Sequence, residues 1–222
     1  MVELAARGWS SAREELQTAD VVLLRHGDTR LSPERRFSGV GSADLALSAA
    51  GREQAQRAAG SALLRGHAFT EVLTSPLTRC QETAQIVAAA LGVSIVVDRD
   101  LREMDFGVWE GMSFDEVQDR YPEDLLRWKQ SARATPTGSS ETLAAVVDRM
   151  GTAAERIASR YAGASVVAVT HVTPMKALVA HALGAPPDAL FRMELSSACF
   201  SRITYTGGEA SLRLFNDTSH LR

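Results

Sequence analysis

Four clusters of side chains in this sequence have types and spacing suited to chemistry. Arg25 and His26 end the apolar run Val21-Val22-Leu23-Leu24 and are followed by Gly27. Arg79 lies just after Ser75-Pro76, and His171 follows the apolar run Val166-Val167-Ala168-Val169 and Thr170. The acids Glu103, Asp105 and Glu110 crowd the stretch Leu101–Gly111. Guanidinium forks and free helix N–H groups fit phosphate oxygens, and an imidazole can serve as nucleophile or base near neutral pH. Two arginines, two histidines and two helix N-termini at one place would make an anion site. Singly, none of these residues carries that reading, since Arg79 alone reads as a surface helix residue. Their convergence depends on the elements that position them.

Those elements read as an α/β succession. Val21–Leu24 and Ser165–Thr170 do not alternate, as expected of strands buried on both faces. Ala68–Thr74 and Ser94–Val97 read as two more strands. Helices are expected from Ser48 to about Arg65, Pro76 to Leu91, Glu141 to Tyr161, and from Thr173-Pro174 to about Leu183. Ser75-Pro76 and Thr173-Pro174 both have the form of a cap followed by proline. Cys199–Tyr205 and Ser211–Phe215 read as an edge hairpin turned by Gly207-Gly208. Strands alternating with helices imply a three-layer α/β/α fold with a mostly parallel central sheet. Such a sheet gathers strand carboxyl ends, and with them Arg25, His26, Arg79 and His171, on one edge. Two segments interrupt the succession. Asp28–Leu47 is a long loop, of the kind that tends to be functional, and Asp98–Ser140 is an excursion with short helices at Phe114–Arg120 and Pro122–Gln130 that could cover a site.

Composition bounds the alternatives. A chain of 222 residues, 45% hydrophobic, suffices for one large α/β domain. Its formal charge of −3 supplies no basic field for nucleic acid. Cys80 and Cys199 have neither metal-type nor C-x-x-C spacing and read as buried thiols in a reducing compartment. No apolar run approaches the ~20 residues of a membrane helix, and Met1–Asp20 has no signal-peptide core. A soluble cytoplasmic protein without a membrane or nucleic-acid partner is expected. Residues 1–19 read as an N-terminal arm or linker and residues 20–222 as the domain.

Taken together, Arg25-His26-Gly27, Ser75-Pro76-Leu77-Thr78-Arg79, Leu101-Arg102-Glu103 with the following Phe-Gly-Val-Trp-Glu-Gly, and Thr170-His171 resemble the histidine phosphatase superfamily. That superfamily includes the cofactor-dependent phosphoglycerate mutases. The resemblance runs from about residue 20 to the C-terminus, and this set in this order is highly specific. It implies a phosphoglycerate mutase-like fold and His26 as the nucleophile that accepts a phosphoryl group. Arg25, Arg79 and His171 would hold the phosphate oxygens. Glu103 would donate a proton to the leaving oxygen. Spacing alone leaves Asp105 and Glu110 equally open for that role, and the likeness picks Glu103. Ser38 and Gly39 match the family's loop position on the substrate phosphate, and Val172 would offer its backbone N–H. Val172-Thr173 stands where many members have Gly-Gly, Ser32 where asparagine is frequent, and Ser139–Thr142 matches the Gly-Gly-Glu-Ser type turn only loosely.

The implied activity is hydrolysis of small phosphate monoesters through a phosphohistidine, as in acid phosphatases, with no metal or cofactor because arginines supply the positive charge. Phosphoglycerate mutase-type phosphoryl transfer is the alternative, and a catalytically silent anion-binding module is a third reading. Leu101–Gly111 and Phe37-Ser38-Gly39 look most like α-ribazole-phosphate phosphatases. Thr170–Lys176 looks most like the phosphatase half of bifunctional ribonuclease H/acid phosphatase proteins, which would make residues 1–19 the end of a linker from an upstream ribonuclease H domain. The sequence has no acidic cluster of the kind a two-metal nuclease requires. His67, His181 and His220 read as structural or solvated and Lys176 as a surface lysine. Trp109 and Trp128 suit packing or the site entrance equally.

Overall fold

The computed structural model describes residues 17–41 and 43–222. Of the expected arm, residues 1–16 lie outside the described residues. Thr18 and Ala19 belong to the first strand, where they pair with Thr206 and Tyr205, so the sheet begins earlier than the apolar run suggests.

Six strands form one sheet. β1 (Thr18–Arg25), β2 (Glu71–Thr74), β3 (Ser94–Val97) and β4 (Ser165–Thr170) are joined in parallel, and β5 (Phe200–Thr206) and β6 (Glu209–Asp217) add an antiparallel hairpin in the order β3-β2-β4-β1-β5-β6. β1 and β4 lie at the centre, which is why both read as uninterrupted apolar runs. Their side chains alternate between two cores. Val22, Leu24, Val72, Val167 and Val169 pack with α1 (Ala49–Ala59), α2 (Ala62–Arg65) and α3 (Thr78–Leu91) through Ala58, Leu64, Ala84 and Val87. Val21, Leu23, Leu73, Val166 and Ala168 pack with α6 (Leu143–Arg160) and α7 (Val172–Ala182) through Met150, Ala154 and Leu178. Each fully buried Leu of β1 contributes about 1.5–3 kcal/mol by leaving water. α4 (Phe114–Arg120) and α5 (Pro122–Gln130) lie in the excursion, which packs onto the second core through Met104, Trp109, Val117 and Leu125. No helix among the described residues is long and apolar enough to cross a membrane.

Several boundaries differ from the sequence reading for identifiable reasons. The helix expected from Ser48 to Arg65 is two helices, because Gly60 ends the first and the Ser61 hydroxyl caps a new turn by accepting from Leu64 N at 3.3 Å. The second strand is shorter than Ala68–Thr74. Neither Ser75 nor Thr173 is an N-cap: α3 is capped by Leu77 without a side-chain bond, and α7 by His171. Both hydroxyl residues precede or open their helices as expected, but Ser75 and the Thr173 backbone bond to side chains of the site instead.

Register brings the carboxyl ends level. Arg25 pairs with Thr170 and Thr74 with Val169, so His26, Ser75 and His171 leave adjacent strands side by side. Gly27 then passes so close to Gly51 that a methyl group on either would overlap the other segment's carbonyl oxygen, Gly51 O or Asp28 O. Ser48 locks this crossing: its N–H donates to Asp28 O at 2.8 Å and its Oγ accepts from Gly51 N at 3.0 Å. Gly51→Ala overpacks that backbone contact and is expected to lower stability by about 1–3 kcal/mol. Urea unfolding checks this as a lower midpoint at unchanged slope.

Candidate active site

His26 is held by the backbone of three neighbours. Its N–H donates to Thr170 O at 3.1 Å, its C=O accepts from Ala198 N at 3.2 Å, and its Nδ1 lies 2.7 Å from Gly27 O. A carbonyl oxygen can only accept, so Nδ1 carries the proton and Nε2 keeps a bare lone pair. Arg79 Nε donates toward that lone pair at 3.3 Å. The same Nε–H reaches His171 Nδ1 at 3.2 Å, which makes Nδ1 the acceptor and leaves the His171 proton on Nε2. His171 Nε2 lies 2.7 Å from Ser75 Oγ. The two rings are therefore opposite tautomers whose lone pairs face one guanidinium hydrogen, with ring centroids 5.1 Å apart at 63°.

Burial and charge keep both rings neutral. His26 is lowered well below the ordinary histidine value by burial first, then by Arg79 and Arg25. His171 is lowered likewise by burial, Arg79, His26, Arg25 and Arg149. Glu103, also buried, is raised above the ordinary carboxyl value because desolvation outweighs the bonds from Met104 N at 2.8 Å and Thr173 N at 3.3 Å. A neutral imidazole and a carboxyl group shifted toward its protonated form thus share one site.

The cations are incompletely paired. Arg79 Nη2 donates to Ser38 O at 2.8 Å and Arg25 Nη1 to Leu195 O at 2.7 Å. Arg25 Nε, Arg79 Nη1 and Ser38 Oγ are buried without a partner. Buried donors are nearly always satisfied, so three orphans beside a bare imidazole nitrogen mark a place for an acceptor-rich anion.

A cavity of about 550 Å³ opens above this floor, lined among others by Arg25, His26, Ser38, Glu103, Val172 and Trp128. Arg79 and His171 are almost wholly buried beside His26. Gly39 is not in the lining, and its N–H donates to both Glu110 oxygens at 3.1 and 2.8 Å. Glu110 also accepts from Phe106 N, and Asp105 accepts from Gly107 N, Ser140 N and Ser140 Oγ. Both acids are thereby committed to fastening loops, and Glu103 is the one of the three acids in the cavity lining. Lys176 departs from expectation. It lines the cavity, half-buried, and burial lowers its pKa while Glu103 partly offsets this. Its spacing of three from Thr173 on α7 was the available signal. Ser75 was missed as a partner of His171 because Ser-Pro reads equally as a cap. Trp109 is wholly buried packing, whereas Trp128 lines the cavity. His67, His181 and His220 lie outside the lining.

A doubly wound α/β protein with an imidazole-and-guanidinium site at the carboxyl edge of its sheet is the class that this fold and geometry define. The chain belongs to the histidine phosphatase superfamily, branch 1, whose family model matches residues 21–218. It is 42% identical over 215 residues to a bifunctional protein of Mycobacterium tuberculosis, covering 96% of this chain and 57% of that protein, so the chain spans little more than half the length of that relative. It is 30% identical over 201 residues to phosphoserine phosphatase 1 of Hydrogenobacter thermophilus, covering 90% of this chain and 93% of that one. The crystal structure of the α-ribazole phosphatase from Shigella flexneri superposes with a TM-score of 0.77 at 28% identity, over 89% of this chain and 96% of that chain.

The shifts have opposite consequences for stability. For His26 and His171 the folded value lies below the unfolded one, so their contribution is present above about pH 6.5 and is lost as pH falls below it. For Glu103 the folded value is raised, so its contribution is present at low pH and is lost as pH rises through the folded value. Melting temperature is expected to fall between pH 7 and pH 5 in the wild type and to fall less in His26→Gln/His171→Gln.

Proposed function

We propose that this chain is a metal-independent, cofactor-free phosphatase of the acid phosphatase type, which hydrolyses small phosphate monoesters through a phosphohistidine on His26. The observation that carries the reading is the unprotonated Nε2 of a tautomer-fixed, neutral His26, facing Arg79 and beside three orphaned donors. His26 Nε2 attacks phosphorus in line, the P–O bond to the alcohol breaks, and Glu103 gives its proton to the departing oxygen. Water then attacks phosphorus, the P–N bond breaks, and the Glu103 carboxylate takes the water proton. Arg25, Arg79, Ser38 and the Val172 N–H hold the phosphoryl oxygens, and His171 joins them by taking a proton on Nδ1 once the anion is bound, since its Nε2–H is directed at Ser75. Positioning and charge stabilisation supply most of the acceleration. Covalent catalysis splits one hard displacement into two easier ones.

The names of the similar phosphatases support hydrolysis, and α-ribazole 5'-phosphate is the first substrate to try. Phosphoglycerate mutase-type transfer is the second reading. The acid-rich stretch from Glu103 to Asp119 disfavours it, because a phosphoglycerate carboxylate calls for extra cations. A linker role for the residues before the sheet, leading from an upstream ribonuclease H domain, is part of the same proposal. It is supported by the greater length of the relative named bifunctional.

Phosphate release from a panel of monoesters in the presence of a strong chelator tests the proposal. Wild type is expected to hydrolyse several members and His26→Ala none. Glu103→Gln is expected to lose about 10²–10⁴-fold in kcat on alkyl esters, the usual worth of a general acid, and far less on p-nitrophenyl phosphate, whose leaving group needs little help. Activity should decline toward alkaline pH as Glu103 ionises and toward strong acid as His26 protonates. Transfer to an acceptor alcohol without phosphate release would establish the mutase reading instead, and chelator-sensitive turnover would defeat metal independence.

A further inference from the structure

The cavity is many times larger than a phosphate group and of a size that encloses a whole small molecule. Phe37, Phe106, Trp128 and Phe191 are among the residues that line it. Phe37 and Phe106 meet with ring centroids 5.0 Å apart, Phe37 and the buried Trp109 at 5.5 Å, Trp109 and Trp128 at 5.5 Å, and Trp128 and Phe191 at 4.8 Å. This connected series starts three residues from Glu103 and ends on Phe191, which is 39% exposed. Trp128 comes from α5 and Phe191 from the 3-10 turn Pro187–Arg192, so two segments far apart in sequence converge to build its outer end. They meet edge to face at 83°, and both line the cavity. A single exposed phenylalanine needs no explanation. A pair of aromatic rings, Trp128 and Phe191, lining the same cavity as the anion-binding floor and backed by the buried Trp109 does, because a compact hydrophilic alcohol would leave them without an apolar partner.

We propose that the alcohol half of the substrate carries a flat aromatic ring, as in a nucleoside 5'-phosphate, and that Trp128 and Phe191 determine specificity by packing against that ring. This rests on the phosphatase reading and narrows it from small monoesters in general to aromatic ones.

The test compares kcat/KM for α-ribazole 5'-phosphate and adenosine 5'-monophosphate with that for ribose 5-phosphate, which has the same ester and no base. Wild type is expected to prefer at least one aromatic ester by about 10-fold or more, the range of one aromatic stacking contact. Phe191→Ala, a change at an exposed position, and Trp128→Leu should each move that ratio toward one. A wild-type ratio near one, or a ratio unchanged in both variants, overturns the proposal. Binding of the same three ligands to His26→Ala, measured by calorimetry, separates this proposal from the phosphatase reading. Tighter binding of the aromatic ligands without hydrolysis by wild type would sustain the stacking site and defeat the phosphatase. Hydrolysis of all three esters with equal affinities would do the reverse.

Discussion

One guanidinium hydrogen, on Arg79 Nε, faces two imidazole lone pairs, and the rest of the site is arranged to make that tolerable. Burying an arginine with two histidines is costly unless the rings stay neutral and every proton has a fixed place. Gly27 O fixes the proton of one ring and Ser75 Oγ that of the other. Three cations nearby, Arg25, Arg79 and Arg149, then penalise any further proton on His171. Two of these cations, Arg25 and Arg79, which make the site attractive to an anion, therefore also keep His26 unprotonated. Attraction for an anion and the unprotonated state of the imidazole beside it have a common electrostatic origin.

The covering segments obey the same economy of donors. Glu110 reaches across to the Gly39 N–H, and Arg36 bonds to Gly111 O and Glu116. These contacts tie the loop after β1 to the excursion. Glu141 pairs with Arg102 and Arg149, and Arg149 also donates to the Asp100 and Arg102 carbonyls just before Glu103. The acids of the middle region are thus largely consumed in holding its turns in place, while Glu103 is left in a dry environment that favours its protonated form.

Much of this could be read in the sequence, and the failures have physical reasons. β1 and β4 were legible because central strands buried on both faces leave unbroken apolar runs. α4 and α5 were legible because Ser113 with Glu116 forms a capping box and Pro122 opens the next helix. Arg25, His26, Arg79 and His171 converge because parallel register levels the strand ends, which topology alone predicts. What sequence could not settle was the use of polar groups with two possible partners. Ser75 and Thr173 have the form of caps, yet Ser75 bonds His171 and the Thr173 N–H bonds Glu103. The choice among Glu103, Asp105 and Glu110 likewise depended on chain path, since all three accept from backbone amides and only Glu103 of the three does so at the cavity wall. Phe191 was invisible as a cavity residue because the segment after α7 has no periodicity from which its folding over the site could be read, whereas Lys176, on α7 itself, was legible only through its spacing of three from Thr173.

His26 sits within the backbone ladder itself, bonded to Thr170 O on one side and Ala198 N on the other. Floor and wall accordingly have different ancestries in the architecture. The floor is made by strand ends that cannot shift without unpairing the sheet, whereas Trp128 and Phe191 stand on segments that contribute no strand. Insertion, deletion or exchange of those segments would re-tailor what enters while leaving the reacting atoms in place. The scaffold is in that sense a fixed socket with an interchangeable adapter, and diversity among its relatives is to be sought in the adapter.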